Sequence, residues 1–232
     1  MQLPEGLKSL FRGGRGDTVP QGPGELRRAT AAMRGGESAD ASIRSSRGLE
    51  EFFQYIRDQS GLMILDLGGA TQQNISFITN LGHRLYSQDF LRTLNEVFGG
   101  ESAEEQANPG LIDFFLRQSL DFPEAHFDAV LLWDSLEYLS PPLLNAVIDR
   151  LHQIVRPKSY MLSFFHADDK LEAVPSYTFR IQSPNSLHVT QHGVRKPVQL
   201  FNNRSLEKLF GRYESVKFFL TRERLREVIV KV

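Results

Sequence analysis

Three acidic residues that each end a strand-like stretch are the groups in this sequence best placed to do chemistry. They are Asp66, Asp89 and Asp134. Because the carboxyl ends of parallel strands meet at one edge of a sheet, we expect these carboxylates to share a crevice there. Asp66 and Asp89 are separated by the roughly 20 residues at which a βαβ unit places an acid on a ribose hydroxyl. The spacing therefore predicts a site for a nucleotide-like cofactor.

A glycine turn follows the first of these acids. Gly68 and Gly69 let the backbone turn sharply and approach a ligand with no Cβ in the way. The uniformly apolar residues 62–65 before Asp66 are typical of a central strand that is covered on both faces. Apolar residues between 75 and 81 predict a helix whose N-terminus faces the same turn. Asp66 itself would either contact a bound cofactor or cap the amides of the turn.

Strand and helix patterns alternate from residue 62 to residue 165, which predicts an α/β fold with a mainly parallel sheet. Residues 111–116 are ambiguous, because they fit either a third strand or one turn of helix. The alternation stops after residue 165, and residues 166–200 are predicted to form a hairpin or cap over the end of the sheet. The chain closes with two strands, 215–220 and 226–232, that are a hairpin apart.

The N-terminal segment 1–46 differs in composition from the rest of the chain. It is rich in Gly, Arg, Ser and Ala and has few large apolar residues, so it is predicted to be a disordered tail. An RNA-binding arm is the alternative, because Arg/Gly-rich segments can follow a phosphate backbone. One short Arg-Gly cluster and almost no aromatic residues favour a solvated tail. The folded domain is then expected to span residues 47–232.

Composition excludes several classes of function. The 232 residues carry a net charge of −1 and contain no cysteine, so disulfides, thiolate catalysis and cysteine metal sites are ruled out. No apolar run approaches the roughly 20 residues that span a bilayer, and no secretory signal is evident, which predicts a cytoplasmic protein. The histidines show no metal-ligand spacing backed by carboxylates, so no metal site is predicted. The oligomeric state cannot be read from the sequence.

The order of these elements resembles the class I S-adenosylmethionine-dependent methyltransferases. The resemblance covers about residues 48–232. In that family a strand-end acid precedes a glycine-rich turn, which is similar to residues 66–72, and a second acid on the next strand corresponds to Asp89. Segments 120–130 and 133–139 are similar to the approach to the family's fourth strand and to the segment after it. The resemblance implies a Rossmann-like three-layer sandwich with a seven-stranded sheet in the order 3-2-1-4-5-7-6 and an antiparallel last strand.

The same resemblance implies S-adenosylmethionine as the cofactor and a set of residues that bind it. That set is Asp66, Gly68, Gly69, Ala70, Gln88, Asp89, Asp121, Trp133 and Asp134. Asp121 is included as a substitute for the acid expected near the end of the third strand. Trp133 is expected in the core or in the pocket wall. Asp134 would orient donor or acceptor, or would cap the helix that follows it.

Methyl transfer from a sulfonium is an in-line displacement, which needs alignment and, for some acceptors, a base. The candidates for catalysis near the carboxyl end of the sheet are Glu137, Tyr138 and His166. His166 directly follows the fifth predicted strand, where it could reach an acceptor. The alternative for His166 is a solvated loop histidine with no catalytic role.

These observations predict methyl transfer from S-adenosylmethionine to a small-molecule acceptor, with residues 166–200 shaping the acceptor pocket. A catalytically inactive binding or scaffold module is the alternative, because Ala70 and Gln72 stand where the family usually has glycine. An RNA methyltransferase that uses the basic tail is a third hypothesis. The near-neutral charge of the chain argues against nucleic acid as a partner.

Overall fold

The computed structural model describes residues 41–99, 103–221 and 224–232. The helices and strands in chain order are β1 (Ala41–Ser45), α1 (Arg47–Ile56), β2 (Met63–Asp66), α2 (Gln72–Asn80), β3 (Arg84–Ser87), α3 (Phe90–Phe98), α4 (Pro109–Ser119), β4 (Phe127–Trp133), α5 (Pro141–Ile154), β5 (Val155–His166), β6 (Val174–Ser183), β7 (Ser186–Arg195), α6 (Asn203–Leu209), β8 (Ser215–Leu220) and β9 (Leu225–Lys231). Single turns of 3-10 helix lie at Glu105–Ala107 and Ser135–Tyr138.

The larger sheet has six strands in the order β3-β2-β4-β5-β9-β8. Strands β3, β2, β4 and β5 run parallel, and their carboxyl ends therefore meet at one edge. Strand β9 pairs antiparallel with both β5 and β8. The α/β class, the parallel centre and the antiparallel finish expected from the sequence are thus present.

A smaller antiparallel sheet, in the order β1-β7-β6, packs against one face of the larger sheet. Side chains of β4 show how the layers are divided, because successive residues of a strand point to opposite faces. Leu131 and Trp133 pack with α1, α2 and the smaller sheet. Val130 and Leu132 pack with α3, α4 and α5 on the other face. The β6–β7 hairpin lies in the first of these two layers.

The segment considered for a third strand is helix, so the prediction of seven strands is wrong for the part of the chain that the structure describes. Residues 111–116 lie inside α4, and the larger sheet ends at β3. Asn108 begins this helix by accepting hydrogen bonds from the Gly110 and Leu111 amides. Phe115 then packs between Phe90 and Phe98, with ring centroids 5.0 and 5.7 Å apart. Capping and packing together favour helix over strand.

The sequence predicts a disordered tail up to residue 46, and this is wrong for its last residues. Ala41–Ser45 form β1, which pairs with β7 from Ala41 opposite Thr190 to Ser45 opposite Ser186. Ser46 then caps α1 with its side chain. Backbone pairing, which composition does not reveal, orders this polar stretch. Residues 1–40 of the predicted tail, with the Arg-Gly cluster proposed to bind RNA, lie outside the described residues.

None of the helices that the structure describes is both long enough and apolar enough to cross a membrane.

Candidate active site

The carboxylate of Asp66 is fully buried and holds the glycine turn together. Its Oδ1 accepts hydrogen bonds from the Gly68 amide at 2.9 Å and from the Trp133 indole nitrogen at 2.6 Å. Its Oδ2 accepts a hydrogen bond from the Asn74 side chain at 3.1 Å. Burial raises the pKa of Asp66, and these three hydrogen bonds oppose that rise. Asp66 is therefore committed to donors within the protein.

Asn74 joins this turn to the β6–β7 hairpin. It lies in the first turn of α2 and is almost completely buried, and its side-chain Nδ2 donates a hydrogen bond to Asp66. The same nitrogen donates to the Phe179 carbonyl at 3.2 Å, and its oxygen accepts from the Ile181 amide at 2.8 Å. The neighbouring Gln73 side chain donates to the Ile181 carbonyl at 3.1 Å. The hairpin is thus fixed to the glycine turn through Asn74.

Trp133 ends β4 in the left-handed region of backbone conformation, with φ of 53°. This conformation is unusual for a large residue and turns the indole back over the glycine turn. The indole stacks on the Phe179 ring, with centroids 5.2 Å apart and an angle of 6° between the planes. A Cβ added at Gly68 would lie 2.6 Å from Trp133 Cδ1. Gly68 is therefore required by the indole that packs against it.

A cavity of about 500 Å³ opens at the carboxyl ends of β2, β3 and β4, underneath the β6–β7 hairpin. This volume lies in the range typical of small-molecule and cofactor sites. One side of the cavity is formed by the glycine turn and α3, the other by the hairpin. The polar side chains that line it are Asp89, Arg92, Asn95, Asp134, Ser135, Ser176, Tyr177, Thr178, His192 and Arg195.

Asp89 projects into the cavity from the end of β3. Its Oδ1 caps α3 by accepting a hydrogen bond from the Arg92 amide at 3.1 Å. Its Oδ2 receives no hydrogen bond from any of the described residues. The carboxylate lies against Gly69, where an added Cβ would be 3.5 Å from Oδ2. One carboxylate oxygen is therefore left to accept hydrogen bonds from a ligand.

A buried acid–histidine cluster lies behind the hairpin side of the cavity. The two oxygens of Glu137 accept hydrogen bonds from the backbone amide of His166 at 2.9 Å and from its ring Nδ1 at 2.6 Å. A carboxylate at Nδ1 places a ring proton on that nitrogen. Within the described residues, the buried His166 Nε2 and Asp134 Oδ2 have no hydrogen-bond partner. Tyr177 stacks on His166 and separates it from the cavity.

Asp134 has the acid–base properties of a group that exchanges protons near neutral pH. Burial raises the pKa of its carboxyl to about 7, the charge of His166 opposes this rise, and the charge of Glu137 adds to it. Arg195 also favours the ionised form. A pKa near the working pH is what a general base needs.

We expect Asp134→Asn to stabilise the protein at neutral pH but not at acidic pH. The folded-state pKa lies above the unfolded value, so the contribution of Asp134 is present below pH 4 and is lost as the pH rises through about 7. The free energy of unfolding of the variant minus that of the parent should therefore increase by at least about 1 kcal/mol between pH 4 and pH 8. Urea unfolding at several pH values measures this difference, and a flat difference would contradict the raised pKa.

The structure brings some of the predicted site residues to the cavity and leaves others outside it. Gly68, Asp89, Trp133 and Asp134 line it, while Asp66, Glu137 and His166 lie directly behind its walls. The other predicted site residues do not line the cavity; they are Gly69, Ala70, Gln88, Asp121 and Tyr138. Asp121 is exposed and precedes the amino end of β4, at the far edge of the sheet from the cavity. The backbone carbonyl of Gln88 accepts a hydrogen bond from the Gly69 amide at 3.0 Å.

Sequence reasoning missed the residues that the hairpin contributes. Tyr177, Phe179 and Arg195 line the cavity, although only a cap without named side chains is expected in this region. It also missed Asn74, which links the hairpin to the turn. A buried amide at the third position of a helix, where an apolar residue would continue the pattern, is the signal that could have identified Asn74.

An α/β sheet with a strand-end acid, a glycine turn and a second strand-end acid around a capped cavity defines a Rossmann-like cofactor-binding protein. The sequence matches the family model described as a methyltransferase domain over residues 40–214. The chain belongs to this family. The resemblance to class I S-adenosylmethionine-dependent methyltransferases predicted from the sequence is confirmed.

Solved structures similar to the chain include methyltransferases from three organisms. A 1,6-didemethyltoxoflavin-N1-methyltransferase of Burkholderia thailandensis, with bound 1,6-didemethyltoxoflavin and S-adenosylhomocysteine, is 13% identical over 79% of this chain and 74% of that chain, with a TM-score of 0.42. A methyltransferase of Methanosarcina mazei is 13% identical over 77% and 95%, with a TM-score of 0.43. One of Aquifex aeolicus is 9% identical over 80% and 89%, with a TM-score of 0.41. No curated protein matches the chain at a significant level.

Proposed function

We propose that the protein transfers the methyl group of S-adenosylmethionine to a small molecule bound beneath the β6–β7 hairpin. Membership of the methyltransferase-domain family supports the reaction class. The observation that carries the proposal is the cavity of about 500 Å³, which contacts both the glycine turn and a buried acid of raised pKa. Asp89, Gly68 and Leu67 would hold the donor, and the hairpin with Asp134 would hold the acceptor.

The residues present are compatible with this donor. Asp89 has a free carboxylate oxygen over the turn, in the position suited to ribose hydroxyls. Ala70 and Gln72 do not line the cavity, and the Gln72 side chain donates to Ser76 on the outer side of α2. Neither residue therefore fills the donor space. Asp66 is the exception among the residues expected to bind the cofactor, because its oxygens already accept three hydrogen bonds from the protein.

S-adenosylmethionine supplies a methyl group on a sulfonium, which is transferred by in-line displacement. The protein's own residues then have to position the acceptor, exclude water and take up its proton. Asp134 lies on the cavity wall and can accept a proton from an acceptor hydroxyl or amine. The Glu137–His166 pair is a positioning element, because its hydrogen bond fixes the ring next to Asp134 and modulates the charge that Asp134 feels.

Asp89→Asn is expected to weaken the binding of S-adenosylhomocysteine by about tenfold, because charge-assisted hydrogen bonds to ribose are replaced by weaker ones. Asparagine preserves the cap of α3, so the fold is not disturbed. Isothermal titration calorimetry measures the change. Asp121→Asn is the matched control, since this acid is exposed and outside the cavity, and its affinity should stay within about twofold of the parent.

Two results would count against the proposal. Equal affinity of the Asp89 variant and the parent would remove Asp89 from the donor site. No binding of S-adenosylmethionine or S-adenosylhomocysteine to the parent at about 1 mM ligand would defeat the methyltransferase reaction itself. The inactive binding module would then be the better description, although the positions of Ala70 and Gln72 that prompted it do not obstruct the cavity.

A further inference from the structure

One guanidinium on the cavity wall has a charge that the protein does not neutralise by contact. Arg195 ends β7 and lines the acceptor side of the cavity. Its guanidinium carbon lies 5.0 Å from the centroid of the Tyr138 ring, which holds the group in place through a cation–π contact. No described residue accepts a hydrogen bond from this guanidinium or forms an ion pair with it. A guanidinium stays charged at every physiological pH and presents five donors in a planar fork.

The other basic side chains that line the cavity each have a partner within the protein. Arg92 forms an ion pair with Glu96 at 2.8 Å, one turn further along α3. His192 shares a hydrogen bond of 2.8 Å with the Thr178 hydroxyl across the hairpin. Arg195 therefore stands out among the lining residues as a cation with donors available to a ligand. Asp134 is near enough to feel its charge, but the two side chains form no ion pair.

Aromatic rings line the same cavity as Arg195. Phe179 and Trp133 stack in parallel, and Tyr177 lies next to Phe179 with ring centroids 5.7 Å apart. These three rings, of which Trp133 and Phe179 are almost fully buried, give the cavity an aromatic wall that suits a planar molecule. An aromatic wall, a fork of free donors and a buried acid that feels the charge of the fork constitute a recognition site with three separate chemical requirements.

We infer that the acceptor is a planar aromatic molecule whose carboxylate, or similar oxyanion, binds to Arg195, an inference that rests on the proposed function. The rings of the acceptor lie against Tyr177 and Phe179. Its hydroxyl or amino group faces Asp134, which takes the proton as the methyl group is accepted. Arg195 thereby selects the acceptor by charge, and a planar fork paired with a carboxylate also fixes its orientation.

Matched pairs of small aromatic probes test this assignment. The probes are 4-hydroxybenzoate, 4-aminobenzoate and 2-naphthoate, each compared with its uncharged amide. We expect each acid to bind at least about tenfold more tightly than its amide, because a charge-assisted bidentate pair discriminates by that amount. In Arg195→Gln this preference should fall to within about twofold, and in Arg195→Lys it should be partly kept. Titration calorimetry, with and without S-adenosylhomocysteine, gives the affinities.

The titrations distinguish failure of this inference from failure of the proposed function. The donor also carries a carboxylate, so S-adenosylhomocysteine is titrated into Arg195→Gln, where its affinity should match that of the parent. A loss of about tenfold there would show that Arg195 binds the donor, which overturns the inference and leaves methyl transfer intact. Equal binding of acids and amides, or no binding of any acid at about 10 mM, overturns it as well. A preference for acids without any binding of S-adenosylhomocysteine would uphold the anion site and reject the methyltransferase reaction.

Discussion

Asn74→Ala should lower the free energy of unfolding by about 3 kcal/mol. The substitution removes three hydrogen bonds at a buried position, each worth about 1 kcal/mol, and leaves buried groups of the hairpin without partners. Because these bonds connect the turn to β6, the hairpin amides should also lose protection. Urea unfolding measures the stability, and hydrogen exchange at the Ile181 amide measures the local effect.

Gln73→Ala provides the matched control for this result. Gln73 is the preceding residue of α2, and it makes a single, partly buried hydrogen bond to the same residue of β6, Ile181. Its removal should cost no more than about 1 kcal/mol. If the two variants were equally stable, the Asn74 network would not be the connection that holds the hairpin on the turn. Unchanged exchange at Ile181 in the Asn74 variant would lead to the same conclusion.

Gly68→Ala should both destabilise the protein, by about 3 kcal/mol, and weaken the binding of S-adenosylhomocysteine by more than about tenfold. The new methyl group would lie 2.6 Å from Trp133 Cδ1 and 2.8 Å from Nε1, so the indole has to move. Movement breaks its hydrogen bond to Asp66 and its stacking on Phe179. Trp133 is the single tryptophan of the chain, so its fluorescence reports the displacement directly.

Gly69→Ala separates crowding from backbone strain. Gly69 has a φ of 83°, which costs an alanine about 1 kcal/mol, but a Cβ there would meet Asp89 at ordinary contact distances of 3.4 to 3.6 Å. The tryptophan spectrum of this variant should resemble that of the parent, and its stability loss should be the smaller of the two. A larger loss of stability in the Gly69 variant than in the Gly68 variant would mean that the backbone conformation of the turn, and not the indole, is the reason why glycine is needed there.

The parts of the site that follow from local pattern were predictable from the sequence. Asp66, Asp89 and Asp134 end strands of one parallel sheet, and topology alone brings such ends together. The sequence could not decide whether residues 111–116 form a strand or a helix, because their apolar spacing is compatible with both the strand and the helix period. The helix is decided by the Asn108 cap and by the packing of Phe115, which are properties of the folded chain.

The contributions of the hairpin lay beyond sequence reasoning for a different physical reason. Tyr177 and Arg195 are separated from the glycine turn by about half of the chain, and no local periodicity encodes which strand end they face. His166 shows the same limit, because the sequence placed it after a strand but could not show that Glu137 holds its ring. Asp121, chosen to complete a family pattern, lies at the other edge of the sheet, since the strand that would have carried that acid is a helix here.

Strand β1 has a consequence for how the protein behaves in solution. It covers the outer edge of β7, pairing with every residue from Ser186 to Thr190. Without it, a row of unpaired backbone donors and acceptors would be open to strands of other chains, which is the usual starting point of aggregation. Because β7 also carries Arg195, pairing of β7 with another chain would involve the same hairpin that caps the cavity. The edge that remains on that side is β1 itself, a polar strand of five residues, and a short edge strand offers few backbone groups for pairing with another chain.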